Sequence, residues 1–227
     1  MKIIKTITRW LFIICIPILL LTTTVRAGVS STQLYQYGFH KYQVSQVTGL
    51  NEAQLKETAD KLIDYFNSRV ETPQIFELFH DYEVDHLQDV KRLFQIDYLI
   101  QIASLAYIII YALLFLLWRK NKWQDLAAGV RWGSALTLAF IAIVGIVSFI
   151  GFQQLFIGFH YLAFGDPSQS PWILDPSKDY LIMLFPPPFW QDVAIAGGIT
   201  LVVEALLLGG MAWLIPFMQQ RRRQNRA

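Results

Sequence analysis

Apolar runs and polar breaks alternate along this chain on the length scale of a bilayer. Behind a basic head (Lys2, Lys5, Arg9) the residues from Trp10 to Val25 are mostly apolar, and polar sequence then prevails to about residue 95. A second apolar run extends from Ile96 to Trp118, a third begins near Gly133 and is apolar to Phe152, and a fourth extends from about Val193 to Phe217. A hydrocarbon core of about 30 Å takes roughly 20 helical residues. The pattern therefore predicts an all-α integral membrane protein with four transmembrane helices and a small extracellular helical cap. Residues 1–27 form a signal-like first transmembrane helix, 28–95 the cap, 96–118 the second helix and 119–132 a cytoplasmic loop. Residues 133–164 form the third helix with an outward extension, 165–192 an extracellular loop of aromatics, Pro and Asp, 193–217 the fourth helix and 218–227 a cytoplasmic basic tail. The first segment is also compatible with a signal peptide, since Val25-Arg26-Ala27 offers small-residue cleavage spacing. The expectation is a retained helix.

Within the cap, Asn51 with Gln54 resembles a capping box. Leu55, Ala59, Leu62, Ile63 and Phe66 follow at helical spacing, so one side of that helix is apolar. Thr72-Pro73 reads as an N-cap followed by proline in the first turn of a short helix reaching Leu78. In the third run, helical spacing continues through Phe156, Phe159, His160 and Phe164. One helix that long outreaches the hydrocarbon core, so its far end, with His160, is expected at or above the interface. Pro186-Pro187-Pro188 stops any helix before the fourth span.

Composition agrees with the membrane reading. Hydrophobic residues make up 54% and charged residues 16%, against roughly 25% charged in soluble chains. A net charge of +2 is too small to argue for a nucleic-acid partner. The basic residues are more informative by position: Lys2, Lys5 and Arg9, then Arg119, Lys120, Lys122 and Arg131, then Arg221, Arg222, Arg223 and Arg226 all fall on one side if four spans are counted. The positive-inside rule makes that side cytoplasmic, leaving the cap, His86, His160 and the aromatic loop outside. The one cysteine, Cys15, lies in an apolar run and reads as a helix-packing residue.

Candidate chemistry concentrates in Glu83-Val84-Asp85-His86-Leu87-Gln88-Asp89-Val90-Lys91, just ahead of the second apolar run. If one helix carries both parts, Asp89 is placed to orient or charge-tune His86, because residues three apart share a face. A polar stripe continues through Leu93, Asp97, Gln101 and Ser104. The topology brings His86 and His160 to the same membrane face, near Phe159, Tyr161, Phe164, Trp172, Phe189 and Trp190. Those aromatics equally fit an ordinary interfacial belt, and the charged stretch equally fits a solvated face. Asp85, His86 and Asp89 lack a recognised metal-ligand spacing, and His40 and His80 are left without a chemical role. No Gly-x-Ser-x-Gly, external cysteine or phosphate loop is present. Chemistry would have to be general acid–base work on a substrate that brings its own nucleophile. Glu204, deep in the fourth span, suits a hydrogen bond to another span.

The stretches Glu83-x-x-His86-x-x-Asp89-Val90-Lys91, Phe159-His160 and Trp172-x-x-Asp175-Pro176-x-x-Asp179-x-Leu181-Ile182-x-x-Phe185-Pro186-x-x-Phe189-Trp190-x-Asp192 resemble the lipoprotein intramolecular transacylases, integral membrane enzymes of Gram-positive bacteria. Length, span count and outward cap are similar as well. Leu87 stands where methionine is usual in that family, and the triple proline is unusual; neither touches the histidines. The resemblance implies an acyltransferase of the cell membrane that acts on diacylated lipoproteins after signal-peptide removal. It would move the sn-2 acyl chain of the diacylglyceryl-cysteine to the cysteine α-amine, leaving the lyso form. Family catalysis rests on two histidines, matched by His86 and His160. Asp85, Asp89 and Asp97 are expected to support them, and Phe159, Tyr161, Trp172, Asp175, Asp179, Phe189 and Trp190 to bind substrate. No metal, cofactor or nucleic acid is expected, membrane lipid surrounds the chain, and a monomer suffices.

Elementary chemistry is compatible. An α-amine has a pKa of about 7.7–8.0 and histidine about 6.5, so one imidazole can take the amine proton and the other can protonate the leaving glyceryl oxygen. The assignment favoured on sequence is His86 as base, supported by Asp89 or Asp85, and His160 as acid. Two alternatives stay open: a metal-dependent membrane hydrolase using the histidines with Asp or Glu, and a non-catalytic receptor or transport subunit.

Overall fold

A computed structural model describes residues 2–71, 77–118, 123–168 and 172–224. The described residues form helices and no strand: α1 Lys2–Val29, α2 Thr32–Lys41, α3 Val44–Thr48, α4 Glu52–Phe66, α5 Asp81–Trp118, α6 Trp123–Phe164, α7 Tyr180–Leu184 and α8 Pro187–Gln224. Four of them (α1, α5, α6 and α8) are long and apolar enough to cross a membrane. The protein is an all-α, multi-pass membrane protein.

The element boundaries differ from the sequence pattern at points with physical causes. Helix α6 begins at Trp123, well before Gly133, because Leu126, Ala127 and Gly129 already form a buried face; residues 119–122 of the expected loop lie outside the described residues. The same helix is not regular to its end, since Gly151 (φ −169°, ψ 83°) leaves the helical region and divides α6 into two arms. Pro187 and Pro188 open α8 rather than merely stopping a helix, because the first turn has no intrahelical use for their missing N–H groups. The Thr72-Pro73 helix start lies outside the described residues. Helix α5 runs unbroken from Asp81, so the charged stretch and the second apolar run do share one helix.

The chain divides into two compact units. One comprises Met1–Thr24, Tyr98–Ile146 and Gly198–Ala227. Its packing uses small residues as membrane helices do. A Cβ added at Gly129 would lie 2.8 Å from Phe12 Cε1, and one at Gly133 would lie 2.7 Å from Ile16 Cβ. The glycines let α6 approach the buried Phe12, Ile13 and Ile16 of α1. Interhelical hydrogen bonds add to this: Gln101 Nε2 donates to Thr23 Oγ1 at 2.9 Å, Tyr107 OH to the Thr8 carbonyl at 3.0 Å and Thr24 Oγ1 to Glu204 Oε2 at 3.3 Å. Glu204 thus has the partner on another span that its depth called for.

The other unit comprises Val25–Asp97 and Val147–Gly197. Its core joins Tyr35 and Phe39 of α2, Leu55, Ala59, Leu62, Ile63 and Phe66 of α4, Leu87 of α5, and Leu181, Leu184, Phe185 and Phe189. The apolar face read in α4 is therefore the face that is buried, and both arms of the Asn51–Gln54 capping box form. Asp192 fastens α2 to the first turns of α8, accepting from Lys41 Nζ at 2.6 Å, Tyr42 OH at 2.6 Å and Tyr37 OH at 3.3 Å. That bond to Asp192 holds Lys41 protonated well above the usual lysine range.

Candidate active site

Within the second unit, the early turns of α5 and the last turns of α6 bring two imidazoles together. His86, only 7% exposed, has its ring centroid 6.0 Å from that of half-buried His160. Phe164 stands edge-on to His86 at 4.9 Å, while Phe156, Phe164 and Trp172 lie 4.2, 5.5 and 5.2 Å from His160. Trp172 is itself fixed, because its indole N–H donates to the Gly165 carbonyl at 3.2 Å and its ring meets Tyr161 at 5.0 Å.

The hydrogen bonds distinguish the two histidines. Nδ1 of His160 lies 2.8 Å from the Phe156 carbonyl oxygen. A carbonyl only accepts, so Nδ1 carries the hydrogen and the neutral ring keeps its lone pair on Nε2. Nδ1 of His86 is buried and has no hydrogen-bond partner among the described residues. A buried polar atom without a partner is unfavourable in the resting protein and is available to a group that a substrate brings.

The remaining residues singled out from sequence divide into two groups. Exposed Phe159 (edge-on to His160 at 5.6 Å), exposed Tyr161 and half-buried Trp172 cluster at the imidazole pair. Asp89 carries Arg92 at 3.3 Å and is close enough to His86 to act on it electrostatically. Asp85 is exposed on the same helix. Asp97 is half-buried, with Oδ2 lacking a hydrogen-bond partner and Arg26 within electrostatic reach. Asp175 is exposed; hydrogen bonds from the Ser177 hydroxyl and backbone N–H hold its carboxyl below the usual carboxylate range. Phe189 is 3% exposed and belongs to the core, against Gly38. Trp190 packs edge-on to Phe189 at 5.3 Å and tilted against Phe185 at 6.1 Å. Asp179 is 1% exposed, with its oxygens taken by the Asp175 N–H and the Tyr82 hydroxyl.

Sequence reasoning left His80 without a chemical role and gave Glu83 no role of its own. Glu83 is fully buried: Oε1 accepts from the Leu181 N–H at 2.7 Å, and Oε2 lies 2.9 Å from both the backbone N and the ring Nδ1 of His80. Among the described residues, the group whose ligand atoms could converge on a metal is His80, Glu83 and Asp179, within 4.8 Å of one another. Neither His86 nor His160 belongs to it.

This arrangement pairs two imidazoles in an aromatic surround at the ends of membrane-length helices, and the chain that carries it has relatives. The family model described as Lipoprotein intramolecular transacylase Lit matches residues 10–190. The chain belongs to the lipoprotein intramolecular transacylase family. As a transacylase it is an acyltransferase, in keeping with a site that offers acid–base groups. Solved structures with the same fold are described as in meso structures of the membrane integral lipoprotein intramolecular transacylase Lit from Bacillus cereus. One matches with a TM-score of 0.82 and 20% identity over 99% of this chain and 100% of that one. A histidine-to-arginine variant matches at 0.78 and 19% over 99% and 96%, and a variant with alanine at that same histidine at 0.79 and 19% over 97% and 97%. A comparison with curated protein sequences finds no match.

Proposed function

We propose that this transacylase moves the sn-2 ester acyl chain of a diacylglyceryl-cysteine lipoprotein to the α-amine of that cysteine, with His86 and His160 as the acid–base pair. The observation that carries this reading is the 6.0 Å pairing of the two imidazoles, one with its tautomer fixed and the other with a buried nitrogen awaiting a partner.

The substrate supplies both nucleophile and electrophile. The amine nitrogen attacks the acyl carbon and passes a proton to one imidazole. The ester C–O bond then breaks, and the glyceryl oxygen takes a proton from the other imidazole. Amide replaces ester, and the proton returns between the two rings. The cyclic transition structure is medium-sized and closes reluctantly, so holding its ends together is the pocket's main contribution. The hydrogen bond from His160 to Phe156 supports the opposite assignment to the one favoured on sequence. It leaves a lone pair on Nε2, which suits His160 as the base, and His86 is then the partner for the acid's role. Phe159, Tyr161 and Trp172 border the pair and suit acyl or glyceryl carbon; Asp179 and Phe189 act from within the protein.

The loaded lipoprotein reaches this site after signal-peptide removal and while anchored by its acyl chains in the surrounding lipid. By the positive-inside rule the site faces outward, the side on which such lipoproteins are displayed, and one copy of the chain supplies all the groups named. The eight-part division at residues 27, 95, 118, 132, 164, 192 and 217 remains the proposed topology.

Mass spectrometry of a reporter diacylated lipopeptide tests the reading. Wild-type enzyme keeps the total acyl mass and converts the N-terminus to an amide, while His86→Ala and His160→Ala each lower the rate by about 10²–10⁴-fold. Loss of acyl mass as free fatty acid with the wild type identifies a hydrolase instead.

A further inference from the structure

We propose that Glu83 is a positioning residue of the acyl transfer: with His80 and Asp179 it clasps the loop bearing Trp172 to the helix bearing His86, and so sets how the two imidazoles face the substrate. The inference rests on the transacylase reading given above.

The segment 172–185 meets the site from both sides. At one end the Trp172 N–H is tied to Gly165, just past His160. At the other, the Leu181 N–H is tied to Glu83, less than a turn before His86 on α5. Glu83 therefore bonds across 98 positions of chain to hold that second end. Its other oxygen accepts from two N–H groups of His80. The His80 ring lies 3.5 Å from Asp179, which in turn fixes the Asp175 N–H and the Tyr82 hydroxyl.

Buried carboxylates are tolerated when paired and fully hydrogen-bonded. Glu83 at 0% and Asp179 at 1% exposure are hydrogen-bonded in this way, Glu83 accepting from Leu181 and His80 and Asp179 from the Asp175 N–H and the Tyr82 hydroxyl. Glu83→Gln breaks this arrangement. A carboxamide has one acceptor and one donor end, so either the Leu181 N–H or the His80 N–H groups then face a donor. The Trp172 segment stays held at Gly165 and loses its hold beside His86.

Loosening that spacing separates the amine from the acyl carbon and admits water. An imidazole that deprotonates the amine can equally deprotonate water. Water oxygen then attacks the acyl carbon, the ester C–O bond breaks, the glyceryl oxygen takes a proton, and free fatty acid leaves with the α-amine still free. The ratio of released fatty acid to N-acyl product reports positioning, and the fraction of correctly folded enzyme does not move it.

The experiment measures that ratio on the reporter lipopeptide for the full-length wild type, Glu83→Gln and His80→Asn. The second variant changes a half-exposed side chain that folding tolerates more readily. The ratio is expected to rise at least tenfold in both variants, with slower amide formation. A slower reaction at an unchanged ratio, or unchanged rates, overturns the inference while the wild-type product leaves the transacylase reading standing. A wild type that makes no N-acyl product sinks both.

Discussion

The contact between Gly129 and Phe12 lends itself to a quantitative test of how the membrane-length helices are held. Replacing Gly129 with alanine puts a Cβ 2.8 Å from Phe12 Cε1 and 3.0 Å from Cδ1. Carbon atoms rest at about 3.5–4.0 Å, so something must move by roughly 0.5–1 Å. Phe12 has little room to yield: it is 3% exposed and stacked on Tyr111 at 4.7 Å. Overpacking of this kind costs about 1–3 kcal/mol, and the gain in helix propensity from Gly to Ala offsets about 0.8–1.0 kcal/mol of it. A net loss of about 1 kcal/mol is expected, read as a fall of about 2–4 °C in the thermal midpoint of the detergent-solubilised protein. Phe12→Ala alone costs more, about 3–5 kcal/mol, but it removes the ring atoms that the new methyl group at position 129 would strike. In that background Gly129→Ala should therefore raise the midpoint, and this change of sign is the diagnostic. Additive effects, with Gly129→Ala equally destabilising in the Phe12→Ala background, would refute the close-packing account. Gly133 offers no such rescue by alanine, because its nearest neighbour includes Cβ of Ile16 itself.

Three other outcomes follow from the site. Trp172→Phe keeps a ring near His160 but loses the bond to Gly165, worth about 0.5–1.5 kcal/mol; Trp172→Ala loses both, so KM for the reporter lipopeptide should rise more in the alanine variant. Chelators should leave the rate unchanged, because the oxygens of Glu83 and Asp179 are already engaged by protein donors; abolished activity that added zinc restores would favour the metal hydrolase. Gly38→Ala would put a Cβ 2.4 Å from Phe189 Cδ2, so it should lower the thermal midpoint, whereas Phe159→Ala, at an exposed ring, should change KM with the midpoint nearly unmoved.

The parts of this fold legible in the sequence are those governed by local periodicity and by bilayer thickness. Four apolar runs become four membrane-length helices because each residue's environment is decided by its neighbours on one helix face. The meeting of His86 and His160 is legible for a related reason: one precedes an apolar run and the other follows the next, and two successive spans return a chain to the same membrane face. Gly151 is less so, since its extended backbone interrupts α6 inside a stretch whose apolar spacing continues on both sides.

The clasp around Glu83 belongs to a different class of information. On the sequence, Glu83, Asp85 and Asp89 are equivalent carboxylates within a helical turn or two of His86, and helical spacing assigns the tuning role to Asp89. What separates them is burial: Glu83 is at 0%, Asp85 is exposed and Asp89 lies between. That burial is imposed by the 172–185 segment, which has almost no periodicity of its own and owes its path to hydrogen bonds with distant residues. The same cause carries Asp179, an acid whose place in a loop suggests substrate contact on sequence, into the interior, while Phe189 is buried by helix packing against Gly38. A motif records which residues a site requires, but whether a given carboxylate touches the substrate or holds a wall in place depends on which backbone N–H groups reach it. For Glu83 the deciding group is the N–H of Leu181, on an element that the local pattern around His86 says nothing about.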